Sequence, residues 1–137
     1  TGNSFFQNIR KNSPIAEKIH ILGHRTDVIS ILKSVNIYSQ TSLEEGFGRA
    51  ISEAMSVGKP IVMTNAGGCT ELIDENSGII TPIKDPEAIG KAISSLVNND
   101  ELRKKMGENG RKRIENVYHI NETVNDTLKL YKRLLNE

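Results

Sequence analysis

The sequence has no tryptophan, and its aromatic rings are three tyrosines and three phenylalanines. A single-strand nucleic-acid binder needs aromatic platforms and a basic field. With a formal net charge of +1 the chain offers neither, and no nucleic-acid partner is expected. Cys69 is the one cysteine, which excludes an internal disulfide and fits a reducing compartment. No apolar run approaches the roughly 18 residues of a membrane-spanning helix. No secretory signal is read before Thr1. Together these absences give the expectation of a cytoplasmic protein, in which the glycosylation-like matches at Asn121 and Asn125 are coincidental. No Asp-x-Asp pair occurs, and His20, His24 and His119 lack ligand spacing, so no bound metal is expected. There is no internal repeat and no low-complexity segment.

What is present is an ordinary soluble composition, 36% hydrophobic and 26% charged, over a length that predicts one domain spanning 1–137. Residues 4–11 read as a short helix with Phe5, Phe6 and Ile9 on one face. Residues 19–22, 35–38, 60–63 and 78–81 read as strands. Thr26 or Asp27 is placed to cap a helix whose Val28, Ile29 and Leu32 face inward. Residues 70–74 read as a short helix. Asp85-Pro86 opens another with proline at its first position, striped by Ile89, Ile93, Leu96 and Val97. Residues 100–115 carry Leu102, Met106 and Ile114 inward and Arg103, Lys104, Lys105, Arg111, Lys112 and Arg113 outward on a solvated face. Ile120, Val124, Leu128, Tyr131 and Leu135 form the stripe of a last helix.

Strands that alternate with helices, and that are apolar throughout, predict an α/β fold with a parallel sheet covered on both faces. Ligands bind such sheets at the carboxyl ends of the strands. Three motifs fall there: His24-Arg25, residues 45–48, and residues 65–68.

The chain is organised around residues 42–55, SLEEGFGRAISEAM. Ala50, Ile51, Ala54 and Met55 recur at the spacing of one helical face. Gly58 and Pro60 stop that helix, the first as a left-handed cap. A Gly-rich turn therefore feeds the positive end of a helix, where free N–H groups favour an anion such as phosphate. Glu45 and Glu53 bracket the turn. If the whole span were helical they would lie roughly 12 Å apart along the axis. Paired glycosidase carboxylates sit about 5–9.5 Å apart, so the pair better suits the two ends of one long polar ligand, such as a sugar nucleotide.

This stretch resembles the glutamate-x7-glutamate motif of retaining glycosyltransferases with the GT-B fold. The wording EGFGRAISEAMSVGKPIV is similar to the large family 4 of those enzymes. TNAGGCTELI at 64–73, NSGII at 76–80 and DPEAI at 85–89 follow in the family's order, so the resemblance covers nearly the whole chain. It implies a Rossmann-like α/β domain, the C-terminal donor-binding half of the enzyme. In that family the domain begins with a strand, a helix and a second strand before the equivalent of Thr1. That segment supplies an Arg and a Lys that grip the donor diphosphate, and a separate N-terminal domain binds the acceptor. The resemblance thus implies that the first strands are missing. It makes 1–137 a partial nucleotide-sugar-binding domain, inactive alone. Thr41 departs from the family, where a proline commonly precedes Ser42.

The implied reaction transfers a hexose-type sugar from a nucleotide diphosphate sugar to a glycan or lipid-linked acceptor with retention, as in bacterial polysaccharide or glycoconjugate biosynthesis. The donor is a substrate, and no cofactor is implied. Glu45 resembles the glutamate that positions the transferred sugar, against the simpler reading of a dipole-favoured charge at a helix start. Glu53 resembles the glutamate that binds the ribose hydroxyls, against a solvated helix residue. Gly46, Phe47 and Gly48 would offer backbone N–H groups, which is compatible with a tight turn that needs glycine. Arg49 stands either near the phosphates or in solvent. Arg25 matches a position whose backbone meets the nucleobase, against a loop arginine beside a capping Asp27. Cys69 reads as a structural thiol. The basic cluster at 103–113 reads as a solvated face, with peripheral contact to the inner face of the membrane as the competing reading. The competing functions are a non-catalytic sugar-nucleotide binding module, a sugar-nucleotide epimerase on the same architecture, and a phosphorylase. An epimerase needs acid–base residues around the sugar, and none stand out. A phosphorylase needs a pyridoxal-type lysine context, which Lys59 and Lys84 lack.

Overall fold

The computed structural model describes residues 2–135, with side chains described for residues 6–135. The expected facing of Phe5 lies outside those side chains. In chain order the elements are α1 (Gly2–Lys11), α2 (Val28–Ser34), β1 (Tyr38–Gln40), α3 (Arg49–Ser56), β2 (Ile61–Thr64), β3 (Gly78–Thr81), α4 (Pro86–Val97), α5 (Asp100–Val117) and α6 (Ile120–Leu134). Two short 3-10 turns, Ala16–Lys18 and Gly68–Leu72, complete the list.

The three strands form a parallel sheet in the order β1-β2-β3. Tyr38 pairs with Ile61, and Ile61 in turn with Gly78. All four residues of β2 are buried. Its apolar side chains alternate between two cores. Ile61 and Met63 join Leu32, Ile51, Ala54, Met55 and Leu72 on one face. Val62 joins Ala92, Leu96 and Met106 on the other. Each such fully buried side chain contributes about 1.5–3 kcal/mol before its ordering entropy is subtracted. A strand buried on both faces must be apolar at every position, which is why residues 61–63 carry no polar side chain. The expected α/β fold, a parallel sheet with helices on both faces, is the fold observed.

The strand boundaries differ from expectation. Residues 35–37 precede β1 instead of opening it, and the strand itself is Tyr-Ser-Gln. Residues 19–22 pair with no strand among the described residues, although Ile19 is extended at φ −98° and ψ 117°. A strand needs a neighbour to satisfy its N–H and C=O groups; here His20 and Leu22 face solvent instead. The short helix expected at 70–74 is the 3-10 turn Gly68–Leu72.

Helix caps explain most of the remaining geometry. Asp85 accepts from the Ala88 amide at 2.9 Å and Pro86 stands in the first turn of α4, as expected. Asp27 sits at the cap position of α2, but its side chain makes no cap hydrogen bond. Val28 and Ile29 are exposed rather than inward. Of the α4 stripe, Leu96 is buried and Val97 exposed. Met106 is buried, while Leu102 and Ile114 pack against the two cores. In α3, Ile51, Ala54 and Met55 are fully buried and Ala50 is exposed. Gly58 ends that helix at φ 72°.

Two arginines of the supposed solvated face of α5 turn inward. Arg103 donates to the carbonyls of Leu96 and Val97 and pairs with Asp100. A helix end leaves carbonyls without intrahelical partners, and Arg103 supplies donors to those of α4. Arg113 does the same for the 3-10 turn, donating to Leu72 at 2.8 Å and Glu71 at 3.0 Å. The stripe of α6 is present, but Ile120, Val124, Leu128, Tyr131 and Leu135 are all exposed.

Candidate functional site

The site lies beyond the carboxyl ends of β1 and β2. The loop after β1 is laced to the loop after β2. Thr64 Oγ1 donates to the Ser42 carbonyl at 2.6 Å, and the Glu45 amide donates to the Ala66 carbonyl at 2.7 Å. Glu45 also bridges Gly67 in parallel. This closeness depends on missing side chains. A Cβ on Gly68 would stand 2.6 Å from the Gly46 carbonyl oxygen. Gly48 has φ 80°, and a Cβ there would meet Ile51 Cδ1 at 2.9 Å and Cys69 Cβ at 3.0 Å.

Glu45 therefore stands before the helix, not within it, and the helical spacing of Glu45 to Glu53 does not apply. Gly48 occupies the N-cap of α3 in the left-handed conformation without a side-chain cap. The first N–H groups of a helix have no intrahelical partners. Here the Ile51 and Ser52 amides both turn back to the Gly48 carbonyl, and those of Arg49 and Ala50 precede them at the positive end of the dipole.

Two cavities flank this unit. One, of about 500 Å³, is lined by residues 43–46 and 65–67, and so contains Glu45 and Gly46. The other, of about 450 Å³, is lined by residues 26–30 and Glu53. The two glutamates thus border separate openings served by one loop and one helix. Arg49 opens α3 with an exposed side chain and is not among the lining residues of either cavity.

Glu45 is half-buried and held from one side. Gln40 Nε2 donates to its Oε2 at 2.6 Å, and Ser42 Oγ lies 3.5 Å from the same oxygen. Tyr38 Oη donates to Gln40 Oε1 at 2.8 Å. Burial pushes the Tyr38 phenol up, and the charges of Glu45 and Glu53 push it further. Cys69 is buried, and burial with the nearby Glu45 charge raises its thiol. A thiol held neutral suits the structural role expected of it.

Arg25 is engaged by Asp27 through two contacts, Nε to Oδ1 at 2.8 Å and Nη2 to Oδ2 at 2.7 Å. Their mutual hydrogen bond raises the guanidinium and lowers the carboxyl. Asp27 lines the second cavity, and its carboxylate faces Arg25 rather than the helix cap. Phe47 is exposed and meets Tyr118 edge-on, ring centroids 6.5 Å apart at 76°. Tyr118 Oη in turn donates to the Glu71 carbonyl at 2.7 Å. The end of α5 thereby holds both the Phe47 loop and the 3-10 turn.

The sequence places Asn65 in the 65–68 motif without a role of its own, and gives Gln40 none. Asn65 lines the Glu45 cavity with its side chain exposed, and its amide is fixed by the Thr81 carbonyl at 2.8 Å. A polar residue directly after the apolar strand was the available signal. Gln40 is hidden from sequence because the hydrophobic signal for the strand ends at Tyr38.

Comparison with known proteins gives a consistent result. Residues 1–113 match the family model "Glycosyl transferases group 1". The chain is 30% identical, over 85% of its length and 31% of the relative's, to the capsular polysaccharide biosynthesis glycosyltransferase CapM of Staphylococcus aureus. A glycosyltransferase from Rickettsia africae superposes with a TM-score of 0.90 at 28% identity, covering 97% of this chain and 36% of that one. The Anabaena protein HepE, solved in complex with UDP-glucose, superposes with a TM-score of 0.79 at 26% identity over 93% of this chain and 36% of that one. The chain spans about a third of the length of the curated relatives it matches.

Proposed function

The chain belongs to the glycosyl transferases group 1 family, and we propose that it is the part of such an enzyme that binds the nucleotide diphosphate sugar donor. One observation carries this reading: Glu45 and Glu53 border two separate cavities joined by the Gly46–Gly48 turn and the start of α3. A long ligand with hydroxyls at both ends and a diphosphate between them fits that order. Glu45 takes the sugar hydroxyls. The uncapped start of α3, with Gly46, Phe47 and Gly48 before it, takes a phosphate. Glu53, beside Thr26 and Asp27, takes the ribose. Arg25 and its partner Asp27 stand at the nucleobase end. The UDP-glucose bound by HepE is the same class of ligand.

In the whole protein the reaction is transfer of the sugar, with retention, to a glycan or lipid-linked acceptor. The name of the CapM relative places it in polysaccharide biosynthesis. The N–H groups at α3 stabilise charge as it develops on the leaving diphosphate. They are already aligned when the donor arrives, so they cost little reorganisation. No helix among the described residues is long and apolar enough to cross a membrane. Residues 1–137 alone bind donor weakly and transfer nothing.

The test is a thermal-shift panel of UDP-, GDP- and ADP-sugars against the full-length protein. One nucleotide sugar is expected to raise the melting temperature, and Glu53→Ala to abolish that rise. A flat response to all three classes overturns the reading.

A further inference from the structure

Tyr38 and Gln40 are two residues apart in β1, so their side chains share one face of the strand. Their contacts with Glu45 form a chain of fixed polarity. An ionised carboxylate only accepts, so Gln40 must turn its amide nitrogen to Glu45 Oε2, at 2.6 Å. That leaves Gln40 Oε1 pointing away, where it can only accept. Tyr38 Oη, at 2.8 Å, must therefore donate. Each link forces the next. Both described side-chain contacts of Glu45 fall on Oε2, and Oε1 takes neither.

We propose that Gln40 is the positioning residue for Glu45 and that Tyr38 fixes the sense of the Gln40 amide. This rests on the reading that Glu45 meets the donor sugar. The relay anchors one carboxylate oxygen to β1 and keeps the other for a sugar hydroxyl.

A simple loop tether does not account for the arrangement. The backbone of this loop is already tied by Thr64 Oγ1 to the Ser42 carbonyl and by the Glu45 amide to the Ala66 carbonyl. The side-chain relay adds nothing to the loop's path; it acts on the carboxylate. Its far end is firm, because Tyr38 is half-buried and packs against the larger core. A carboxylate held before the donor arrives loses less freedom on binding, and orientation of reacting groups is felt chiefly in turnover.

The experiment uses the full-length enzyme with whichever of UDP-, GDP- or ADP-glucose gives the largest thermal shift. Gln40→Leu keeps the side chain's size and removes the donor. It is expected to lower kcat about tenfold or more, the worth of a hydrogen bond to a charged group, with the donor KM changed by less than about threefold. Tyr38→Phe should act in the same direction but less, and should add nothing to Gln40→Leu in the double variant. Wild-type kcat in Gln40→Leu overturns the proposal, as does full additivity of the two substitutions. If Gln40→Leu fails to fold, Tyr38→Phe removes only one oxygen, and wild-type kcat in that variant overturns the proposal too. Glu45→Gln separates the two levels. Wild-type turnover there overturns the reading of Glu45 itself. A large loss there with Gln40→Leu unaffected overturns the relay alone.

Discussion

Glu45 pairs with Gly67 one residue out of step with the strands that lead to them. Within the sheet Gln40 stands opposite Met63, and pairing resumes at Glu45 opposite Gly67. From that pair the first chain thus spends five residues where the second spends four. A strand that kept its register would hold alternate side chains on alternate faces. The extra residue breaks that alternation just before the glutamate, and the Glu45 side chain returns to meet Gln40 on its own strand. The slip and the hydrogen bond are two parts of one arrangement, which brings a loop carboxylate back to a rigid support.

The two glutamates should separate kinetically in the full-length enzyme. Glu45→Gln is expected to lower kcat about ten- to a hundredfold, the loss of one or more hydrogen bonds to a charged group. Glu53→Gln is expected to raise the donor KM with a smaller change in kcat, because ribose binding is equal in ground and transition states. Steady-state kinetics with the donor varied decides this. Equal effects of both substitutions on kcat alone would mean that the two ends of the ligand are wrongly assigned.

Gly48→Ala should destabilise the fold by about 1–2 kcal/mol for the left-handed backbone alone. The added methyl also falls 2.9 Å from Ile51 Cδ1 and 3.0 Å from Cys69 Cβ, so the loss should exceed that figure. Denaturant unfolding measures it. Gly46→Ala is the control, since a Cβ there meets nothing within 4 Å; it should cost less than about 1 kcal/mol.

The central unit was legible because its signals are local. The buried stripe Ile51, Ala54 and Met55, the cap at Gly58 and the proline of α4 each follow from a few neighbouring residues, and β3 spans the residues expected for it. Illegible features depend on distant partners. Residues 19–22 have strand composition, but composition does not supply a neighbour to pair with. Arg103 and Arg113 look like solvated charges on α5 until the carbonyl ends of α4 and of the Gly68–Leu72 turn are placed beside them. Asp27 has the right position to cap α2, and Arg25 takes its carboxylate instead. Gln40 reads as a strand residue, and only the return of the Glu45 loop gives it a task.

Chelation should leave transfer unaffected. No Asp-x-Asp pair occurs in the sequence, and in the proposed binding mode the positive end of α3 would meet the diphosphate charge that a cation otherwise neutralises. Turnover of the full-length enzyme in excess EDTA is expected to match the untreated rate. Activity abolished by EDTA and restored by Mn²⁺ contradicts this.

A pH-dependent contribution to stability is expected at Asp74, in the turn before β3. Ser77 Oγ donates to its Oδ1 at 2.8 Å, and this hydrogen bond is the largest influence holding the carboxyl below the ordinary range. Partial burial opposes it. The Asn76 amide at 3.1 Å and Arg113 at 3.4 Å add to the lowering. The folded state therefore binds this proton less readily than the unfolded chain, whose aspartates titrate near about 3.9. Stability from Asp74 is fully present above that value and is lost as pH falls through the ordinary carboxyl range toward the lowered one. Its side chain is 43% exposed, so the effect is screened and belongs at the small end for such pairs. The unfolding free energy measured from pH 6 to pH 3 should fall less steeply in Asp74→Asn than in the wild type, since the variant has no proton to gain at that position. Parallel slopes would show that the hydrogen bonds around Asp74 do not distinguish its charged form. Arg113 would then be held by the Leu72 and Glu71 carbonyls alone.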